Sequence, residues 1–193
     1  MVAVIVFVNV GIVLSPHDLR LVSVEVVPTA ETPRAARANS ADHEWTGLSY
    51  RITLTSRSDL GDIADDWSMH TSVDSRFHGL RDGRVVWPWI LGPFQDGRLL
   101  PTRSTDEEDA ARQAAPPRPS YSYTAYLEVM GDGRYEDDFN TAVPYDLLTR
   151  PEPVSLRLVG GNMAFQAFRT NEVEIPAQAF ADAYARYQRN QTP

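Results

Sequence analysis

Two clusters of oxygen donors stand out in this sequence: Asp59, Asp62, Asp65 and Asp66 within one short stretch, and Glu136, Asp137, Asp138 and Asn140 within another. Calcium takes about six to eight such oxygens, often from loops, so Asp62, Asp65, Asp66, Asp137 and Asp138 are candidate ligands and calcium is the one cofactor suggested. Neither cluster follows the EF-hand spacing, and a solvated acidic loop is the competing account. A different chemistry is offered by Val85-Val86-Trp87-Pro88-Trp89-Ile90-Leu91. If this segment is extended, Trp87 and Trp89 share a face, where flat rings can stack on a sugar or grip a proline-rich protein partner. In so apolar a run the same rings suit core or sheet packing better than an exposed platform. Tyr121, Tyr123 and Tyr126 carry the same ambiguity.

Catalytic chemistry has little to work with. His43 stands between Asp42 and Glu44, but neighbours on an extended chain point to opposite faces and do not orient the ring. His70 and His78 lack the i, i+4 spacing of a helical zinc site, and only tertiary structure would bring them together. There is no Cys, which excludes disulfides, thiolate metal sites and catalytic thiols. All 18 basic residues are Arg, so Schiff-base lysines and the phosphate-loop lysine are excluded as well. Neither Gly-x-Ser-x-Gly nor Ser-x-x-Lys nor a glycine-rich phosphate loop occurs. A net charge of −8 argues against a surface that binds nucleic acid.

The elements that would position these residues read mostly as strands. Residues 19–27 alternate, with Arg20, Val22, Val24 and Val26 on the face expected to be mostly buried. In residues 48–56, Tyr50, Ile52 and Leu54 face one way and Arg51, Thr53 and Thr55 the other, the pattern of a half-buried antiparallel strand. Further strands are expected over residues 67–77, 121–130, 154–159 and 163–168, with an edge strand at 172–176 ended by Pro176. Asp82-Gly83, Asp96-Gly97 and Asp132-Gly133 each predict a hairpin turn. Residues 28–42 and 101–119 lack periodicity and read as loop excursions. From residue 177 to 189 the period becomes helical, with Phe180, Ala183, Tyr184 and Tyr187 on one face.

Ahead of all this, residues 2–14 are uncharged and apolar apart from Asn9 and Gly11. As a helix these thirteen residues reach about 20 Å, short of the roughly 30 Å hydrocarbon core, although the length suits the centre of an export signal. An export signal also wants a basic flank and a small-residue cleavage site, and neither is present. A start upstream of Met1 would supply the missing flank and length. The competing reading is a central strand, since eight of the residues are Val or Ile, which suit an extended chain, and both faces of such a strand would be apolar.

The expectation is therefore a mainly β protein. Residues 1–16 form an apolar export or anchor segment, and residues 17–193 form one antiparallel β-sandwich domain, immunoglobulin-like or jelly-roll in type, with a C-terminal helix. Its expected role is a non-catalytic binding or structural module with a protein or glycan partner. Its expected place is periplasmic, or tethered to the outer side of a bacterial inner membrane by residues 1–16. Two alternatives stand beside it: a calcium-dependent or glycan-acting hydrolase, and a soluble interaction protein that uses residues 2–14 as a central strand.

Overall fold

The computed structural model describes residues 13–33, 45–78, 80–81, 84–85, 88, 90–101, 110, 118–130, 134–136, 142–144 and 147–191. The chain is mainly β, in two larger sheets that contribute to one hydrophobic core.

The first sheet is built around β12 (Val154–Gly161). Along its whole length β12 pairs antiparallel with β4 (His70–Phe77). Its other edge pairs with β13 (Ala167–Arg169) and then β14 (Val173–Ile175). Between those two strands the register slips by one residue. There Thr170 donates its N–H to the Leu158 carbonyl and accepts the Leu158 N–H on its hydroxyl, both at 3.0 Å, so the irregularity leaves neither group unsatisfied. Outside β13 lies β1 (Val13–Leu14), paired in parallel, Val13 with Ala167 and Leu14 with Phe168. The last two residues of the apolar N-terminal run are thus an edge strand in this sheet.

The second sheet has the order β2-β3-β9-β7-β8, with β2 (Arg20–Pro28), β3 (Trp45–Ser56), β7 (Ile90–Gln95), β8 (Arg98–Leu99) and β9 (Tyr121–Met130). Alternation explains its inner face: Tyr50, Ile52 and Leu54 on β3, with Tyr123, Ala125 and Leu127 on β9, are all fully buried. On β2 a register shift between Leu21 and Ser23 turns Val22 out to solvent, while Val24 and Val26 enter the core as their alternation requires. The opposite face is less polar than strict alternation suggests, because Val27, Phe94 and Tyr126 form a small buried cluster there. Beside it Arg51 pairs with Glu25.

Two of the three expected Asp-Gly hairpins form. Asp96 (φ +50°) and Gly97 (φ +77°) both adopt the positive φ of a two-residue turn between β7 and β8. Asp82-Gly83 joins β5 (Leu80–Arg81) to its antiparallel partner β6 (Arg84–Val85). Asp132-Gly133 lies outside the described residues; among those described, β9 pairs with β3 and β7, and β10 (Arg134–Glu136) pairs with β11 (Ala142–Pro144).

Two other expectations are corrected. Trp67 does not open a strand: it terminates helix α1 (Leu60–Asp66), and β4 begins at His70. Asp59 caps α1 by accepting from the N–H groups of Gly61 and Asp62, both at 3.1 Å, and buried Leu60 and Ala64 hold the helix to the core. Residues 163–166 are likewise not strand but a turn, and only Ala167–Arg169 resumes pairing.

The C-terminal helix α2 (Ala177–Gln191) follows its periodicity: Phe180 and Ala183 are buried, with Tyr184 and Tyr187 packed against the core. It lies on β2, where Arg186 donates to the Val24 carbonyl at 2.9 Å.

One buried hydroxyl ties α1 to the second sheet. Tyr123 Oη accepts the Leu60 N–H at 2.8 Å and donates to the Ser58 carbonyl at 2.7 Å, and burial pushes its pKa well above the usual tyrosine value. Tyr123→Phe is expected to cost about 1–2 kcal/mol, because the Leu60 N–H stays buried without its acceptor. Urea unfolding checks this, and a variant as stable as the parent would contradict it.

Candidate functional site

The polar side chains that the fold brings together lie on the outer face of the first sheet. On β12 the inward residues Val154, Leu156 and Leu158 alternate with Ser155 and Arg157 on the far side. Cross-strand register sets Arg76 opposite Ser155 and Asp74 opposite Arg157. Arg157 Nε donates to Asp74 at 2.7 Å, and Arg76 donates to both carboxylate oxygens of Glu172 at 3.0 Å. The face is therefore a lattice of alternating paired charges.

Ser155 is 1% exposed beneath this lattice, where its hydroxyl meets His78 Nε2 in a hydrogen bond. The Arg76 guanidinium is the main cause that holds the Glu172 carboxyl below its ordinary range, and Ser155 adds to it against the opposing effect of burial. Either atom of the His78–Ser155 pair can donate, according to the imidazole tautomer, and the pair lies under the charged lattice. His70, at the other end of β4, is about 26 Å from His78 along the strand, so the two histidines do not converge.

A second polar group surrounds a depression of about 460 Å³ lined by His17, Asp18, Arg57 and Ser58. Asn171 positions the loop that carries His17 and Asp18: its side chain bonds both the N–H and the C=O of Leu19, and its N–H reaches the Pro16 carbonyl. Asp18 then latches this loop to the end of β3. One of its oxygens accepts from Ser56 Oγ at 2.6 Å, and the other accepts from the Arg57 N–H at 2.8 Å and Nε at 3.0 Å. The Ser56 hydroxyl above all, then Arg57, hold the Asp18 carboxyl below its ordinary value despite some burial. Because the folded pKa is depressed, the stabilisation is complete above the unfolded value and is lost as pH falls through the folded one, below 3.8. Urea midpoints measured from about pH 6 down to pH 2 are expected to show Asp18→Asn losing part of the acid dependence of the parent. Parallel curves would contradict this role.

Of the ligand candidates read from the sequence, Trp87, Trp89, Asp137 and Asp138 lie outside the described residues, as does His43. Asp62, Asp65 and Asp66 are all on α1, where Asp62 in the first turn suits the helix dipole. Among the described residues no group of three or more His, Asp or Glu side chains is placed to hold a metal ion. Tyr121, Tyr123 and Tyr126 divide by alternation: Tyr123 enters the main core, and Tyr126 packs edge-on against Phe94 on the opposite face at 5.5 Å. The Ser155–His78 pair and the Asp18 latch went unread in the sequence because their members stand 77 positions apart in the first and 38 and 39 in the second, and only the fold brings them together. One signal was available: Ser155 and Arg157 break the apolar pattern of an otherwise buried strand.

No family model, no curated protein and no solved structure matches the chain.

Proposed function

We propose that this protein is a binding or structural module with the form of a β-sandwich, immunoglobulin-like or jelly-roll in type, exported and held at a membrane by its apolar N-terminal run. The observation that carries this reading is the junction of the run with the fold. Val13 and Leu14 belong to the edge of the first sheet, so an anchor ahead of them would hold the domain with no intervening linker. The charged outer face supports a binding or structural role over a hydrolytic one. Its ion pairs are mutually satisfied, and its serine is 1% exposed, out of reach of a substrate. Such a face presents fixed charges at strand spacing to a polar protein or glycan partner.

The strand geometry of Val13–Leu14 also favours a second reading, a soluble interaction protein that keeps the run in its sheet. Among the described residues no helix is long and apolar enough to cross a membrane. Cell fractionation separates the two readings. Recovery in a washed membrane pellet or a periplasmic extract supports the tethered module, and recovery only in the cytosol overturns it.

A further inference from the structure

The turn that joins β12 to β13 exposes two large apolar side chains, Met163 at 96% and Phe165 at 65%. Single exposed apolar residues are ordinary on a protein surface, but this pair is held out by a built device. Phe165 has φ +60°, a left-handed conformation unfavourable for a bulky residue. Asn162 fixes it: its side-chain oxygen accepts the N–H groups of Ala164 and Gln166 at 3.0 and 3.1 Å. Its side-chain nitrogen donates to the Trp67 carbonyl and to Gln166 Oε1, each at 2.6 Å. Backbone strain kept in place by so many bonds, only to present an aromatic ring to solvent, marks a contact surface.

Topology says what lies beside it. Because β1 runs parallel to β13 with Val13 level with Ala167, the chain enters the sheet at the end that carries this turn. The apolar residues 2–12 are attached at that point. We infer that the Met163–Phe165 tip is a second membrane contact, inserting into the same lipid surface that receives the N-terminal run. The inference rests on the tethered reading and deepens it. Two apolar contacts at one end of a sheet fix orientation, and one weak insertion gains stable residence from a second. From Leu158 to Phe168 the sequence contains no Arg; on the neighbouring elements α1 carries Asp62, Asp65 and Asp66, and β4 carries His70 at the end beside the turn, with Asp74 and Arg76 further along paired to Arg157 and Glu172. The chemistry therefore suits apolar insertion into a neutral bilayer over attraction to anionic lipid.

The absence of Cys makes the test clean, since Met163→Cys creates a single site for an environment-sensitive fluorophore. Gln178→Cys on α2 is the control, because α2 begins beyond Ile175, at the opposite end of the sheet from the turn. The full chain is mixed with phosphatidylcholine vesicles, and both flotation and probe emission are read. The expected result is flotation, with a blue-shifted and brighter probe at position 163 and an unchanged one at 178. Phe165→Gly is expected to weaken vesicle affinity about tenfold while leaving thermal stability intact, since glycine accepts φ +60° without strain. Flotation with a silent probe at 163 and no effect of Phe165→Gly overturns the tip contact and leaves the tether standing. Failure to float overturns both. A probe that brightens without vesicles, in proportion to protein concentration, assigns the tip to a second copy of the chain and also overturns the lipid contact.

Discussion

Phe180→Ala is expected to lower stability by about 3–5 kcal/mol, the range found when a fully buried aromatic is truncated. Phe180 is 0% exposed and meets Tyr50 edge-to-face with ring centroids 5.0 Å apart. Tyr50 is itself wholly buried and donates to the Leu147 carbonyl at 3.4 Å, so the cavity would open beside a ring that is pinned by its hydroxyl and poorly able to collapse into the space. On α2 the other buried side chain is the small Ala183, and Tyr184 and Tyr187 are only partly buried against the core, so none of them fills the lost anchor's place. The loss corresponds to a fall in melting temperature of roughly 10 °C or more for a chain of this size. Thermal unfolding followed at a helix-sensitive wavelength checks it. A loss below about 1 kcal/mol would mean that α2 does not rest on the core through this residue.

Gly160→Val is expected to cost about 3 kcal/mol for the opposite reason, too much matter where a ring already lies. Gly160 stands directly across from Phe168, which is 1% exposed. A Cβ at position 160 would press into that ring, against Cε1 and with Cδ1 and Cζ at 2.8 and 3.0 Å. The ring has nowhere to go without moving β13, which carries β1 on its outer side. Phe168→Ala alone should also destabilise, by about 3–5 kcal/mol through the cavity it leaves. The informative variant is the double one. Added bulk at 160 would occupy space vacated at 168, so the pair should be less harmful than the sum, with about 1–3 kcal/mol of favourable coupling. Strict additivity would contradict the face-on packing.

These two positions show what the sequence could and could not reveal. The helical face that includes Phe180 was legible because a 3.6-residue period is a local signal, as were the alternating faces of β3, β9 and β12. Gly160 falls between the strands expected at 154–159 and 163–168, yet it is a strand residue flattened beneath an aromatic neighbour, since nothing local names the residue across the sheet. The same blindness accounts for Trp67, drawn into a strand by alternation that α1 interrupts. Candidate sites were less legible still. The aspartates that suggested calcium include Asp59, which is engaged as a helix cap, whereas the convergent polar groups are formed by unremarkable members such as Ser155, Glu172, Asp18 and Ser56. A charge cluster in sequence reports density, while a site requires convergence across strands.

The parallel pairing of Val13–Leu14 with Ala167–Phe168 has a further consequence, one of timing. The edge of the first sheet closes only when the beginning of the chain meets nearly its end, and the Leu19–Asn171 bonds beside it span 152 positions. During synthesis the strand that receives β1 is the last but one to be made. Until it emerges, Val13 and Leu14 lack their pairing partner. Contacts of such long separation form late and slowly, so this edge is among the last parts of the sheet to close.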